Sequence, residues 1–387
     1  EQIDRSQLTR DNQVDHALLR HNLQKQLWRL DRLEEWAWNP VVYTQLAGGA
    51  IYGLTARDFA PAQERLAAVT ARLEQFPRLY EQIRATLVPE RVPLIHAETA
   101  AKQNDGVLSI IDDAVRPLMQ ELPDDDRDRL ERAIETATKA VEQHQSWLDG
   151  ELVPAAGGEF RLGPELYDEK LQFALEGSLS RQEVKERAEF ELRRVRAEMY
   201  EIARDVLKDL RTELPLPEEP TKEQQQAAIA AAIGLAAGDI PPRNGIVAAA
   251  EESMVIATQF VRDHDLISIP DDPMTIILMP EFQRGVSVAY CDSPGPLEVG
   301  QQTYYAVAPL PEDWTDEQCT SFLREYNIRS IHNLTVHEAM PGHFLQLAHS
   351  NRCPSRLRAL LSSGVFVEGW ALSLIHISEP TRRRLES

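Results

Sequence analysis

Along most of the chain, apolar positions recur every three to four residues, the period of an α-helix with one packed face. Leu130, Ala133, Ile134, Ala137, Val141, His144 and Leu148 form one such stripe. The acidic run 124–126 lies at its start, where carboxylates favour the helix dipole, and His144 is expected at the edge of the packed face rather than in a site. Val184, Ala188, Val195, Met199, Ile202 and Val206 form a second stripe, introduced by Ser180 and Glu183 at capping-box spacing. The charged faces of these helices are expected to be solvated. Further helices are predicted over 11–36, 61–87, 95–119, 164–175, 222–236 and 246–263. Three prolines in PLPEEP (215–220) stop any helix there, and Thr221 with Gln224 offers another capping box. After Pro273 the texture changes. MTIILM (274–279), GVSVAY (285–290) and TYYAV (303–307), with Gly and Pro between them, predict two or three short strands in a small antiparallel sheet. Helices resume over 316–326 and from Ile328. The expectation is a mainly α protein: an N-terminal helical region 1–214, then a half 221–372 that holds the sheet and the segment discussed next.

Composition narrows the class. The chain has 387 residues, 43% apolar and 27% charged, with a formal net charge of −21. That is an ordinary globular composition, not a disordered or collagenous one. The negative charge disfavours a phosphate-binding surface, so no nucleic-acid partner is expected. No run approaches the roughly 18 apolar residues that span a bilayer. Three cysteines, Cys291, Cys319 and Cys353, with no CxxC pair, exclude a thiolate zinc site and a disulfide framework. The last fifteen residues, SLIHISEPTRRRLES (373–387), resemble translated sequencing-adaptor read-through. On that reading His376 and the arginines 382–384 take no part in function.

Four of the ten histidines lie in HNLTVHEAMPGHFLQLAH (332–349): His332, His337, His343 and His349, with Glu338 directly after His337. Neutral imidazoles and a carboxylate side by side are what a catalytic zinc site needs. The familiar HExxH puts two histidines four residues apart on one helix face. Here His337 and His343 are six apart, which a straight helix turns roughly 120° from each other. Pro341 and Gly342 lie between them. Proline removes a donor and clashes with the carbonyl four residues back, that of His337, and glycine tolerates the distorted backbone that follows. A bulge or broken turn there would bring the two rings together. Glu368, in FVEGWAL (366–372), is the candidate third ligand on a returning helix, or else a surface or capping residue between Gly364 and Gly369. His332 and His349 flank the motif as packing or supporting residues. Asp271, Asp272, Glu281 and Arg284 receive no role.

At these motifs the chain resembles a bacterial family known as domain of unknown function 885. HEAMPGHFLQ (337–346) and FVEGWAL carry the resemblance. Weaker matches are GEFRLGPELYDEKL (158–171) and the stretch 60–87 with its RLEQFP; together they span essentially 11–372. The family looks like distant kin of helical zinc peptidases. The resemblance therefore implies a mostly helical, two-lobed architecture with a deep cleft. It also implies His337, His343 and Glu368 as ligands of Zn2+ and Glu338 as general base. A secretion or lipoprotein signal is implied too, hence a periplasmic, lipoprotein-anchored or secreted location. Two departures stand out. Members often carry a second histidine where this chain has Phe344. They also continue with further helices past EGWA, so the chain is expected to be a C-terminally truncated fragment.

These observations lead to a zinc-dependent hydrolase, a peptidase acting on peptides or small amides. An extended substrate would pair with a strand edge near Tyr290, Tyr304 or Tyr305, for which packing is the plainer role. Two other readings stay open: a helical binding or scaffold protein without chemistry, and a non-haem iron enzyme using two histidines and one carboxylate.

Overall fold

The computed structural model describes residues 3–210, 213–298 and 300–378. The protein is mainly helical with one small sheet, and it divides into two compact units, neither of them a continuous stretch of chain. The first comprises Glu1–Tyr167, Pro270–Ala308 and Leu347–Ser362; the second comprises Asp168–Ile269, Pro309–Gln346 and Ser363–Ser387.

In the first unit, helices α1 (Val41–Thr55), α2 (Ala62–Leu73), α3 (Phe76–Thr86) and α4 (Asp124–Trp147) enclose the main core. Every member of the first predicted stripe is buried, and Leu130, Ile134 and Val141 share one cluster with Leu66, Leu73 and Phe76. His144 is fully inside this core rather than at its edge. It stacks on Trp147 at 5.4 Å and lies 4.6 Å from the Tyr80 ring. The stretch 61–87 forms two helices, because the chain turns at Glu74–Gln75 and restarts with Pro77 in the first turn, where a missing N–H costs nothing. The stretch 95–119 likewise breaks after Asn104. A Cβ on Gly106 would meet the backbone of Phe282, so only glycine allows that approach.

The pattern did not predict α1. Its Gly48 and Gly49 weaken helix propensity, yet Val41, Thr44, Ala47, Ile51 and Leu54 are buried at helical spacing and Gly48 makes room for the Phe282 ring. Tertiary packing decides the matter there.

Strands β1 (Met274–Leu278), β2 (Ala289–Asp292) and β3 (Thr303–Val307) form a sheet of order β1-β3-β2. The sheet is mixed, not wholly antiparallel. β3 inserts between its two predecessors, antiparallel to β2 (Ala289 opposite Val307) and parallel to β1 (Met274 opposite Thr303). Since β1 and β2 run in opposite directions, a central β3 must match one and oppose the other. Arg57 fastens the sheet to α1. Its guanidinium meets Asp292 at 2.9 Å, Tyr52 donates to Asp292 at 3.2 Å, and Tyr304 donates to the Ala56 carbonyl at 2.6 Å. Tyr305 is fully buried. These tyrosines pack and tie.

In the second unit, α5 (Arg181–Asp209) and α6 (Lys222–Ala236) pair across the proline-rich linker, and both predicted capping boxes are formed. The buried face of α5 is Tyr200, Ala203 and Leu207, packed on Ala228 and Ile229, with the Tyr200 hydroxyl donating to the Pro217 carbonyl at 2.6 Å. The predicted stripe lies on another face. Val195, Met199, Ile202 and Val206 are exposed. Periodicity marks an amphipathic helix but not which face a neighbour covers, and here Tyr200 and the small Ala203 admit α6. The remaining elements are α7 (Ile246–Asp263), α8 (Asp316–Glu325), α9 (Ile328–Glu338), α10 (His343–Ser350, continuing into the first unit) and α11 (Gly364–Ser378). α9 packs against α7 and α11. The run expected to be foreign, from Ser373, continues α11 as far as Ser378; residues 379–387 lie outside the described residues. Among the described residues no helix is long and apolar enough to cross a membrane.

Candidate metal centre

Asn327 caps α9, its side chain accepting from the Arg329 and Ser330 amides at 3.0 and 3.2 Å. Ile331, Thr335 and Val336 bury one face of the helix, which places His337 and Glu338 in its last turn. The chain then leaves helical geometry at Ala339, and the Ala339 and Met340 amides both return to the Thr335 carbonyl, at 2.9 and 3.2 Å. Met340–Pro341 is a cis peptide bond. A Cβ on Gly342 would collide with the carbonyls of Val336 and His337, so the chain folds back on the end of α9 only because this residue has none. A new helix starts at His343, its ladder joined by the Gln346 amide donating to the Gly342 carbonyl at 3.0 Å. The six-residue spacing is thus spent on a broken turn between two helices.

The break brings the two imidazoles together. Their Nε2 atoms are 3.1 Å apart, with ring centroids 4.6 Å apart and planes at 82°. Glu368, on α11, brings Oε2 to 3.6 Å from His337 Nε2 and 3.7 Å from His343 Nε2. Side-chain exposure is 9% for His343, 17% for His337 and 62% for Glu368. Burial holds His343 below the ordinary histidine range; the neighbouring His337 adds to this and Glu368 opposes it. A neutral imidazole presents a lone pair, which is what a metal takes. Two Nε2 atoms at 3.1 Å either share a proton or direct both lone pairs at one cation. Glu338 is buried at 7% exposure.

The structure therefore brings His337, His343 and Glu368 into one cluster, with Glu338 adjacent to it in sequence. His332 and His349 are not members; burial lowers the pKa of His332. Asp272 pairs with Arg352 at 2.6 Å and Glu281 accepts from Ser109 at 2.5 Å. Two contributors were not singled out from the sequence. Trp370 donates from its indole nitrogen to the Pro341 carbonyl at 3.0 Å, and Ala371, fully buried, lets α11 lie close. Their signal was their place in EGWA.

Fold and site together define a mainly helical protein with a His/His/Glu cluster at a Pro-Gly helix break. A family model described as "Bacterial protein of unknown function (DUF885)" matches residues 1–373, and the chain belongs to that family. Among solved structures, one described as a "putative lipoprotein of unknown function from Shewanella oneidensis" is 29% identical, with a TM-score of 0.69 over 97% of this chain and 67% of that one. A "putative lipoprotein from Colwellia psychrerythraea" is 15% identical, with a TM-score of 0.54 over 81% of this chain and 55% of the other, a likeness of fold. The chain thus spans about two thirds of one neighbour and just over half of the other. No curated protein matches it.

Proposed function

We propose that the chain carries the metal site of a zinc-dependent hydrolase acting on peptides or small amides. One observation carries this reading: three ligand atoms separated by 3.1, 3.6 and 3.7 Å. A tetrahedral zinc with bonds of about 2.0–2.1 Å separates its ligands by about 3.3 Å, so the donor set fits in kind and spacing. His337, His343 and Glu368 would hold the ion. Zinc, when bound, supplies Lewis acidity and a nucleophilic water at neutral pH. Glu338 is the general base: its carboxylate accepts the proton of the attacking water and passes it to the leaving amine.

The same donor set suits ferrous iron; iron content and colour separate the two. The descriptions of the neighbours as lipoproteins support a location outside the cytoplasm, anchored, periplasmic or secreted. Glu338→Gln tests the mechanism against a peptide library. Retained metal with turnover reduced at least about 100-fold is expected. Undiminished turnover rejects Glu338 as the base, and a zinc-loaded full-length homologue that cleaves no peptide or amide rejects the hydrolase.

A further inference from the structure

We infer that Trp370 is a positioning residue that sets the distance between Glu368 and the two histidines. The inference rests on the metal reading above, and its geometry comes from the helix break. Pro341 has no N–H, and its carbonyl lies one residue before the first rung of α10, which is the Gly342 carbonyl. The segment joining His337 to His343 is therefore held at this point by a side chain, the Trp370 indole, at 3.0 Å.

Trp370 stands two residues after Glu368 on α11. At about 100° per residue they lie on opposite edges of one helix face, whose middle is Val367, Ala371 and Leu374. Ala371 and Leu374 are buried. α11 consequently grips the broken turn at two edges: Glu368 reaches the ring nitrogens and Trp370 reaches the backbone that carries them. The grip is directional, because an indole has one N–H and Pro341 offers one carbonyl. Slippage of α11 along its axis would lengthen this hydrogen bond and shift the carboxylate relative to both Nε2 atoms together. Phe366, one turn earlier, lies 6.5 Å from Trp370 and is more than half exposed, so it provides a control on the same helix.

The test is Trp370→Phe beside Phe366→Leu, each read two ways: the zinc dissociation constant by competition with a chromophoric chelator, and backbone hydrogen exchange in metal-free protein. Trp370→Phe is expected to weaken zinc binding by about 10- to 100-fold, as loss of a residue supporting a ligand does. It should also speed exchange over residues 339–346 selectively, while Phe366→Leu does neither. If Trp370→Phe does not fold, benzothienylalanine at position 370, of equal ring size without the N–H, carries the same test. Unchanged zinc affinity with unchanged exchange overturns the inference, as does exchange that rises evenly over the whole chain. If the wild type itself takes no zinc, the proposed function fails, and exchange over 339–346 alone then decides whether Trp370 holds the turn.

Discussion

Replacing His144 by phenylalanine is predicted to flatten the acid side of the stability curve. His144 is 4% exposed between Tyr80 and Trp147. Burial, with a smaller contribution from the Arg84 charge, pulls its pKa from 6.5 to about 3. Folded protein thus keeps this ring neutral down to about pH 3, whereas the unfolded chain protonates it below about 6.5. The unfolded state binds the extra proton, so stability is lost as pH falls through that window, by up to about 1.4 kcal/mol per pH unit. Between pH 7 and pH 5 the loss from this one group is about 2 kcal/mol. Phenylalanine takes up no proton, keeps the ring stack and removes the buried Nδ1, which has no hydrogen-bond partner among the described residues. Urea unfolding of both proteins at pH 7 and pH 5 measures the effect: the wild type should lose about 2 kcal/mol more than His144→Phe over that interval. Parallel losses in the two proteins would refute the reasoning, because His144 would then titrate alike folded and unfolded.

Gly342→Ala pushes a methyl group into two backbone carbonyls that cannot rotate away. It should cost about 1–3 kcal/mol or more and weaken zinc uptake with it, and a variant within about 0.5 kcal/mol of wild type by urea unfolding contradicts the tight turn. Ile202→Asp alters a residue that is 57% exposed on α5. Its effect on the unfolding free energy should stay within about 0.5 kcal/mol, whereas a loss above about 2 kcal/mol would mean the stripe is packed in solution.

Where one face of a helix meets a core, the sequence is readable. The stripe from Leu130 to Leu148 is buried throughout, and the Ser180 and Thr221 capping boxes form as spaced. Local chemistry determines such features. The stripe along α5 was legible as amphipathic but not as exposed, because covering it is a property of neighbours and not of period. α1 was hidden by two adjacent glycines, of which Gly48 serves a close approach that only the Phe282 ring reveals. The direction of β1 depends on which strand inserts beside it. At the site, Pro341 and Gly342 announced a break, and the residues around it announced the chemistry. The meeting of Glu368 with both rings, and the Trp370 hydrogen bond that accompanies it, are long-range contacts that spacing alone leaves open.

The measurement that bears most directly on the metal reading is the metal content of the purified protein by inductively coupled plasma mass spectrometry, beside His343→Ala. The account predicts about one zinc per chain in the wild type and essentially none in the variant. Wild-type protein that takes up no zinc when supplied with it, or a variant that holds as much as the wild type, would contradict it.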